Sequence, residues 1–320
     1  MRIVAGLIVA LAVFAGPAEA QPKFPSKQVT IVVPYPPGGS NDTFARELGR
    51  RLSEAWKIPV IVDNRPGAGG SIGAAIVSRA PADGYTLMLL SSSFTTNAAI
   101  QTNLPFDPVA GFTPIGMVAK GPMILTVRPT FPAKTFLEFL AYARANPGKL
   151  NYGSSGVGST NHFAAELLEE AANIKMTHVP YKGMGPAVAD VIAGHADVLI
   201  ASVPSIGQHV KGGKVRGLGV TSLTPSKLVP ELPAVAQQGA PGYSFELWWG
   251  VLAPPKVPAE IVAQINAEMN KALVTPEMRE VFLREGAEPA VMTPEQFGST
   301  IKTEIEGWKK VAARAGIKPE

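Results

Sequence analysis

Short runs rich in Val, Ile and Leu alternate along the chain with longer segments whose apolar residues recur every three to four positions. Runs of the first kind predict strands and segments of the second predict helices, so the alternation predicts an α/β protein with largely parallel sheets. Residues 28–33 form the first predicted strand, closed by Pro34. Residues 40–56 read as a helix with Phe44, Leu48, Leu52 and Ala55 along one apolar face. A strand at 59–63, a helix over 71–80 and a turn at Pro81 to Gly84 follow, and the strand at 85–90 runs into a serine-rich loop. A second series begins after Pro122. It comprises a strand at 123–127, a helix capped by Thr135, a strand at 150–152, a glycine-rich loop and a helix over 160–172. A strand at 176–179, a helix opened by Pro186 and strands at 197–201 and 215–220 continue it. Residues 245–253 are again strand-like, and helices follow Pro258, Pro276 and Pro294, where proline suits a first turn.

The order is one α/β unit, then another, then a return to helices that complete the first. It predicts two lobes, residues 21–121 plus 247–320 forming lobe 1 and residues 122–246 forming lobe 2. Residues 115–127 and 246–253 are the expected crossing strands. A single doubly wound sheet is the competing arrangement.

The N-terminus bears on compartment. Arg2, the apolar stretch from Ile3 to Ala15 and the small-residue site Ala18-Glu19-Ala20 have the three-part layout of a secretory signal peptide over residues 1–20, cleaved after Ala20. The stretch is too short to span a bilayer comfortably. A soluble periplasmic protein is expected. The chain has no cysteine, which excludes a lipid-modified cysteine anchor, thiolate metal sites and cysteine nucleophiles. Its leader carries one Arg and one Glu, so removal leaves the net charge at +4. That excess is spread thinly, without the basic clusters and interleaved aromatics of a nucleic-acid binder, and it suits an anionic ligand.

Candidate chemistry lies in two loops. Residues 34–42, Pro-Tyr-Pro-Pro-Gly-Gly-Ser-Asn-Asp, join the first strand to the first long helix. The prolines stiffen the approach, Gly38 and Gly39 let the backbone come close to a ligand, and Ser40 or Asn41 can cap a helix whose free N–H groups favour an anion. An ordinary turn with an N-cap would explain Ser40 and Asp42 but not the whole run. Residues 153–162, Gly-Ser-Ser-Gly-Val-Gly-Ser-Thr-Asn-His, repeat the device without the Lys of a phosphate-binding loop. One such loop in each lobe would let a ligand touch both at once. Tyr181-Lys182-Gly183 could add a phenol and an ammonium, or be a solvated turn, and Ser92 and Ser202 could donate hydroxyls from strand ends.

These motifs carry a resemblance. Pro34-Tyr35-Pro36-Pro37-Gly38-Gly39 with Asp42, Asp63-Asn64-Arg65-Pro66-Gly67-Ala68-Gly69-Gly70, Asp83-Gly84-Tyr85-Thr86-Leu87, the 153–160 loop, Tyr181-Lys182-Gly183 and Trp248-Trp249-Gly250 occur in order. Together they resemble the Bug-type receptors, the solute-binding proteins of tripartite tricarboxylate transporters, over essentially the whole mature chain. The resemblance implies a two-lobed periplasmic-binding-protein fold of the Venus-flytrap, type II-like kind, carboxylate ligands held largely by backbone amides, and delivery to a membrane permease. It implies that Tyr35, Gly38, Gly39 and Asp42 line the cleft from one side and Gly158, Ser159 and Thr160 from the other. Pro36, Ser92, Asn161, His162, Tyr181, Lys182, Ser202 and Trp248 complete the expected ligand-binding set. Trp248 and Trp249, adjacent on a strand, must face opposite sides, so one of the two is expected at the cleft.

Other readings compete. Gly69-Gly70-Ser71-Ile72-Gly73 fits the pattern of a hydrolase nucleophile, but residues 64–70 separate Ser71 from its strand, where a nucleophile elbow needs a sharp turn. Ser71 reads better as a helix N-cap, and no catalytic residue is expected. His162, His178, His195 and His209 lack metal-ligand spacing, so no metal or cofactor is expected either. Lys302, Glu304, Glu306, Lys309 and Lys310 read as the solvated face of the last helix. A receptor docking on a signalling ectodomain, instead of feeding a permease, would carry the same fold and pocket. A monomer is expected, free of nucleic acid.

Overall fold

The computed structural model describes residues 24–318, so the expected leader and its cleavage site lie outside the described residues. Three Val- and Leu-rich runs form parallel strands β1 (Val29–Val33), β2 (Val60–Asn64) and β3 (Thr86–Ser91), with Thr30 opposite both Ile61 and Thr86. Helix α1 (Ser40–Trp56) buries Phe44, Ala45, Leu48 and Leu52, the stripe its periodicity predicts. Helices α2 (Ser71–Ser78) and α3 (Ser93–Ile100) follow β2 and β3. The expected serine-rich loop after β3 is therefore largely helix. Phe94, Thr95, Thr96 and Ala98 of α3 are all buried, so the segment is enclosed on several sides and has no amphipathic period to read.

The next strand organises the molecule. β4 (Thr113–Val127) runs for 15 residues without interruption, so the crossing strand expected over 115–127 passes straight through Pro122. Beyond it come α4 (Phe136–Ala145), capped by Thr135 as expected, β5 (Asn151–Ser154), α5 (Thr160–Ala172), β6 (Thr177–Pro180) and α6 (Met184–Ala193). β7 (Val198–Ser202), α7 (Val203–Lys211) and β8 (Arg216–Val220) complete this series. The chain returns through β9 (Glu246–Ala253), α8 (Ala259–Leu273), α9 (Pro276–Arg284), the two-residue β10 (Glu288–Pro289) and α10 (Pro294–Ala315).

The strand order is β2-β1-β3-β9-β4-β7-β5-β6, with β8 and β10 also paired to β4. The first part of β4 lies against β9 and β10, and its last five residues lie between β7 and β8. One strand thus belongs to two sheets. Pro122 sits where the partners change, the position in a ladder where a missing N–H does least harm. Beside it, a Cβ on Gly121 would come 2.3 Å from the carbonyl oxygen of Gly286.

Apolar clusters cover both faces of each sheet. Helix α10 does not simply return to the first unit, as residues 247–320 are expected to. Its Phe297, Ile301 and Ile305 pack with Leu90, Phe94, Met117 and Trp248, whereas Val311 and Ala312 pack with Phe163, Leu168 and Phe245 beside the second sheet. A 22-residue helix is long enough to reach both.

Gly121→Val would force β4 away from the 286–287 backbone. It is expected to lower the urea midpoint by the equivalent of about 1–3 kcal/mol, with an unchanged m-value.

Candidate functional site

β3 ends at Ser91, which pairs with Trp249, and Trp249 pairs with Ala119 of β4. β7 ends at Ser202, which pairs with Met123 of the same strand. Ala119 and Met123 are four residues apart, about 13 Å along a strand. The parallel neighbours β1 and β5 end on the same sides. The carboxyl ends of both sheets therefore converge on the middle of β4, the position at which α/β sheets bind ligands. Helices α1 and α3 begin there from one unit, and α5 and α7 from the other, each bringing unpaired N–H groups. The units also touch elsewhere: a Cβ on Gly158 would lie 2.3 Å from Ile100 of α3, and one on Gly286 would lie 2.7 Å from Val203 of α7.

In the first loop Gly39, not Ser40 or Asn41, occupies the N-cap of α1, and no side chain caps the helix. Its first-turn N–H groups consequently have no side-chain acceptor of their own. Ser40 instead donates its hydroxyl to Glu285, at 2.5 Å, and Asn41 donates to Ser91 at 3.4 Å. Tyr35 shares a 2.8 Å hydrogen bond with Ser93, which bonds Ser91 in turn. Pro36, Gly38 and Gly39 are exposed. Asp42 is buried and accepts from Gly38 N–H at 3.1 Å, from Arg46 at 2.9 Å and from Asn64 at 3.0 Å. The Arg46 bond, above all, holds its carboxyl below the usual range. Asp42 thus braces the loop from inside and does not line an open surface. Ser92, 3% exposed, and Asn41 each keep one buried side-chain oxygen without a partner.

In the second loop Ser159 caps α5, accepting from His162 N–H and donating to the carbonyl of Gly156 at 2.7 Å. Thr160 is half-buried at the helix start. Two expected lining residues lie beneath the loop instead. Asn161 is buried, donating to Ile200 O at 2.8 Å and accepting from Ser155. His162 is buried and accepts the Gly158 N–H on Nδ1 at 3.1 Å, fixing that nitrogen as unprotonated. Its ring stacks 3.8 Å from that of His178, which bonds Ser154 and stacks on Tyr152. Burial pushes His162 down to about 4; His178 falls to about 4 through burial and the neighbouring His162.

The remaining expected residues scatter. Tyr181 turns its hydroxyl back to Asp190 on α6, Ser202 pairs with Ser205, and Lys182 is exposed. Ser71 is the first residue of α2 behind the N-cap Gly70, so it is not the cap itself. Trp248 and Trp249 do face opposite sides, yet neither faces a cleft. Trp248, 2% exposed, meets Phe297 of α10, and Trp249 meets Phe44 of α1. β9 lies between β3 and β4 with helices over both faces, which leaves neither indole an open side. Glu304 also departs from expectation. It turns inward, accepting from Trp248 Nε1 at 2.9 Å and from Thr95 at 2.8 Å. Its place in the stripe Phe297, Ile301, Glu304, Ile305, Trp308 was a legible signal. His178 and Glu285 carried none, because their partners are remote in sequence.

Among the described residues no group of three or more His, Asp or Glu could hold a metal ion, and no helix is long and apolar enough to cross a membrane. Residues 44–317 match the model of the tripartite tricarboxylate transporter family receptors. The chain belongs to this family. It is 38% identical over 311 residues to a protein of Pseudomonas sp. strain P51 encoded in the tcbD-tcbE intergenic region, covering 97% of this chain and 93% of the relative. It is 33% identical to protein BugT of Bordetella pertussis, covering 98% and 97%. Among solved structures, an R. palustris protein with adipate is 35% identical with a TM-score of 0.78, covering 93% of this chain and all of that one. A receptor of the family from Polaromonas without ligand gives 28% and 0.81, covering 91% and 99%. MatC from Rhodopseudomonas palustris with bound malate gives 29% and 0.73, covering 90% and 99%. The fold is that of the α/β periplasmic binding proteins.

The imidazole pair makes the receptor acid-sensitive. Unfolded imidazoles take up protons near pH 6.5, whereas the folded pair resists down to about pH 4. The unfolded state therefore binds more protons between those values, and stability falls as pH falls through that window. Glu166, 3.8 Å from His162 Nε2, offsets this only in part. The urea midpoint is expected to be lower at pH 4.5 than at pH 7, and His178→Gln should shrink that difference.

Proposed function

We propose that this receptor is exported to the periplasm, closes around a small carboxylate between its two units and delivers it, as a monomer, to the permease of a tripartite transporter. One observation supports this above others: two glycine-rich loops, each at a helix N-terminus, open toward the shared middle of β4 from opposite units. N–H groups at helix starts favour an anion, and a ligand held by both would be held more tightly with the units together. The titratable side chains of the loops, Tyr35, Asp42 and His162, are engaged in hydrogen bonds within the protein, so the recognition elements left are backbone amides, half-buried hydroxyls and the exposed Lys182. Relatives solved with adipate and malate fit a carboxylate of a few carbons. The receptor role leaves no part for Ser71, which stands at the first position of α2 after Gly70.

A calorimetric and thermal-shift screen of mono-, di- and tricarboxylates, adipate and malate included, tests the reading. A true ligand should raise Tm and shrink the radius of gyration in X-ray scattering over the same concentrations. No response to any carboxylate, or turnover of one, would sink it. Gly158 has φ +74° and Ile100 beside it, so Gly158→Val is expected to lower affinity at least tenfold while the protein still folds.

A further inference from the structure

Of the acidic residues of α10, Glu304 alone falls in its apolar stripe, where it is half-buried. It lies behind the sheet, beside a cavity of about 560 Å³ between α10 and the middle of β4 and β9. Both its oxygens lie 2.9 Å from Trp248 Nε1, and one accepts from Thr95 at 2.8 Å. Burial raises its carboxyl above the usual range, against the pull of these donors, and no Lys or Arg is paired with it among the described residues. A carboxylate satisfied only by neutral donors is an expensive way to fill a helix–sheet contact, where an aliphatic side chain would serve.

Its partners close a ring. The Trp248 carbonyl accepts the Ser92 N–H at 2.9 Å. The Ser92 carbonyl accepts the Thr95 N–H at 3.1 Å and lies 2.8 Å from the Thr95 hydroxyl. That hydroxyl has one proton and two acceptors, so an ionised Glu304 claims it and leaves Ser92 O to the amides. From Glu304 to Trp248, Ser92, Thr95 and back, each link is a hydrogen bond or one residue's own backbone. The ring grips the turn at residues 91–93, whose Ser91 and Ser93 hydroxyls meet Asn41 and Tyr35 of the first loop. Trp248 acts on the site through its carbonyl and its indole N–H, although its ring is turned away.

We infer that Glu304 is a positioning residue for ligand binding: from behind the sheet, through Trp248 and Thr95, it fixes the serine turn at the start of α3 where the ligand docks. The inference rests on the receptor reading for the ligand, but its first test does not. Amide hydrogen exchange in the unliganded protein should be at least tenfold faster at residues 92–96 in Glu304→Leu than in wild type, with β1 and β5 unchanged. Unaltered exchange there overturns the positioning role whatever the ligand. The second test is affinity for the best carboxylate from the screen. Glu304→Leu and Thr95→Val should each weaken it at least fivefold, the double variant should lose less than the product, and Glu304→Gln should recover most of it. Tm should change little, since an apolar residue replaces a desolvated charge. Faster exchange with unchanged affinity would make the ring structural only. If Glu304→Leu does not fold, Thr95→Val and Glu304→Gln carry both tests. Failure of the wild type to bind any carboxylate overturns the receptor reading and with it the ligand role of Glu304, while the exchange result still decides whether Glu304 fixes the turn.

Discussion

One strand with two sets of hydrogen-bonding partners sets the geometry of this receptor. β4 gives its first part to β9 and β10 and its last five residues to β7 and β8. Because the parallel strands of each sheet end near the change of partners, both sets of βα loops are brought to one place. Backbone pairing makes that placement stiff along the strand, and at the change of partners the bare Cα of Gly121 lets the 286–287 backbone pack close. The units are thereby positioned accurately, with their βα loops on the same middle stretch of β4.

Loops built from glycine and small hydroxyls are able to recognise charge without using charge. Bare N–H groups at a helix start attract an anion at no cost in competing side-chain solvation. The ionisable residues in the same stretches are put to another use. Asp42 holds Gly38 N–H and Asn64, and His162 holds Gly158 N–H, so each fixes the shape of its loop from below. An open carboxylate at Asp42 would repel an anionic ligand, and its bonds to Arg46 and the backbone remove that repulsion. Glu304 extends the scheme to a third layer, behind the sheet.

Most of the architecture was legible because it depends on local pattern. The apolar stripe of α1, the Thr135 cap and the glycine loops before α1 and α5 fall where the pattern places them. Helix α3 was not legible, since Thr95 and Thr96 are buried against other elements and mask its period. Among site residues, Gly38 and Gly39 are exposed in the first loop, and Gly158 is half-buried in the second with its N–H on His162. Asn161, His162 and Trp248 were misplaced, because a helix start or a strand tells which way alternate side chains point but not what covers them.

By itself, then, the sequence determined the α/β class, most of the element order apart from α3 and α7, the two glycine-rich loops at helix starts and the family. Those depend on short-range periodicity, turn chemistry and motifs in order, which one chain carries in full. Only the tertiary structure decided which strands pair with each part of β4, that α10 packs against both units and that Trp248 and Thr95 are the partners Glu304 meets. These rest on contacts between residues far apart in the chain, Thr95 and Glu304 being 209 positions apart. Burial and pairing at such separations are properties of the folded neighbourhood, and no local pattern encodes which neighbour will arrive.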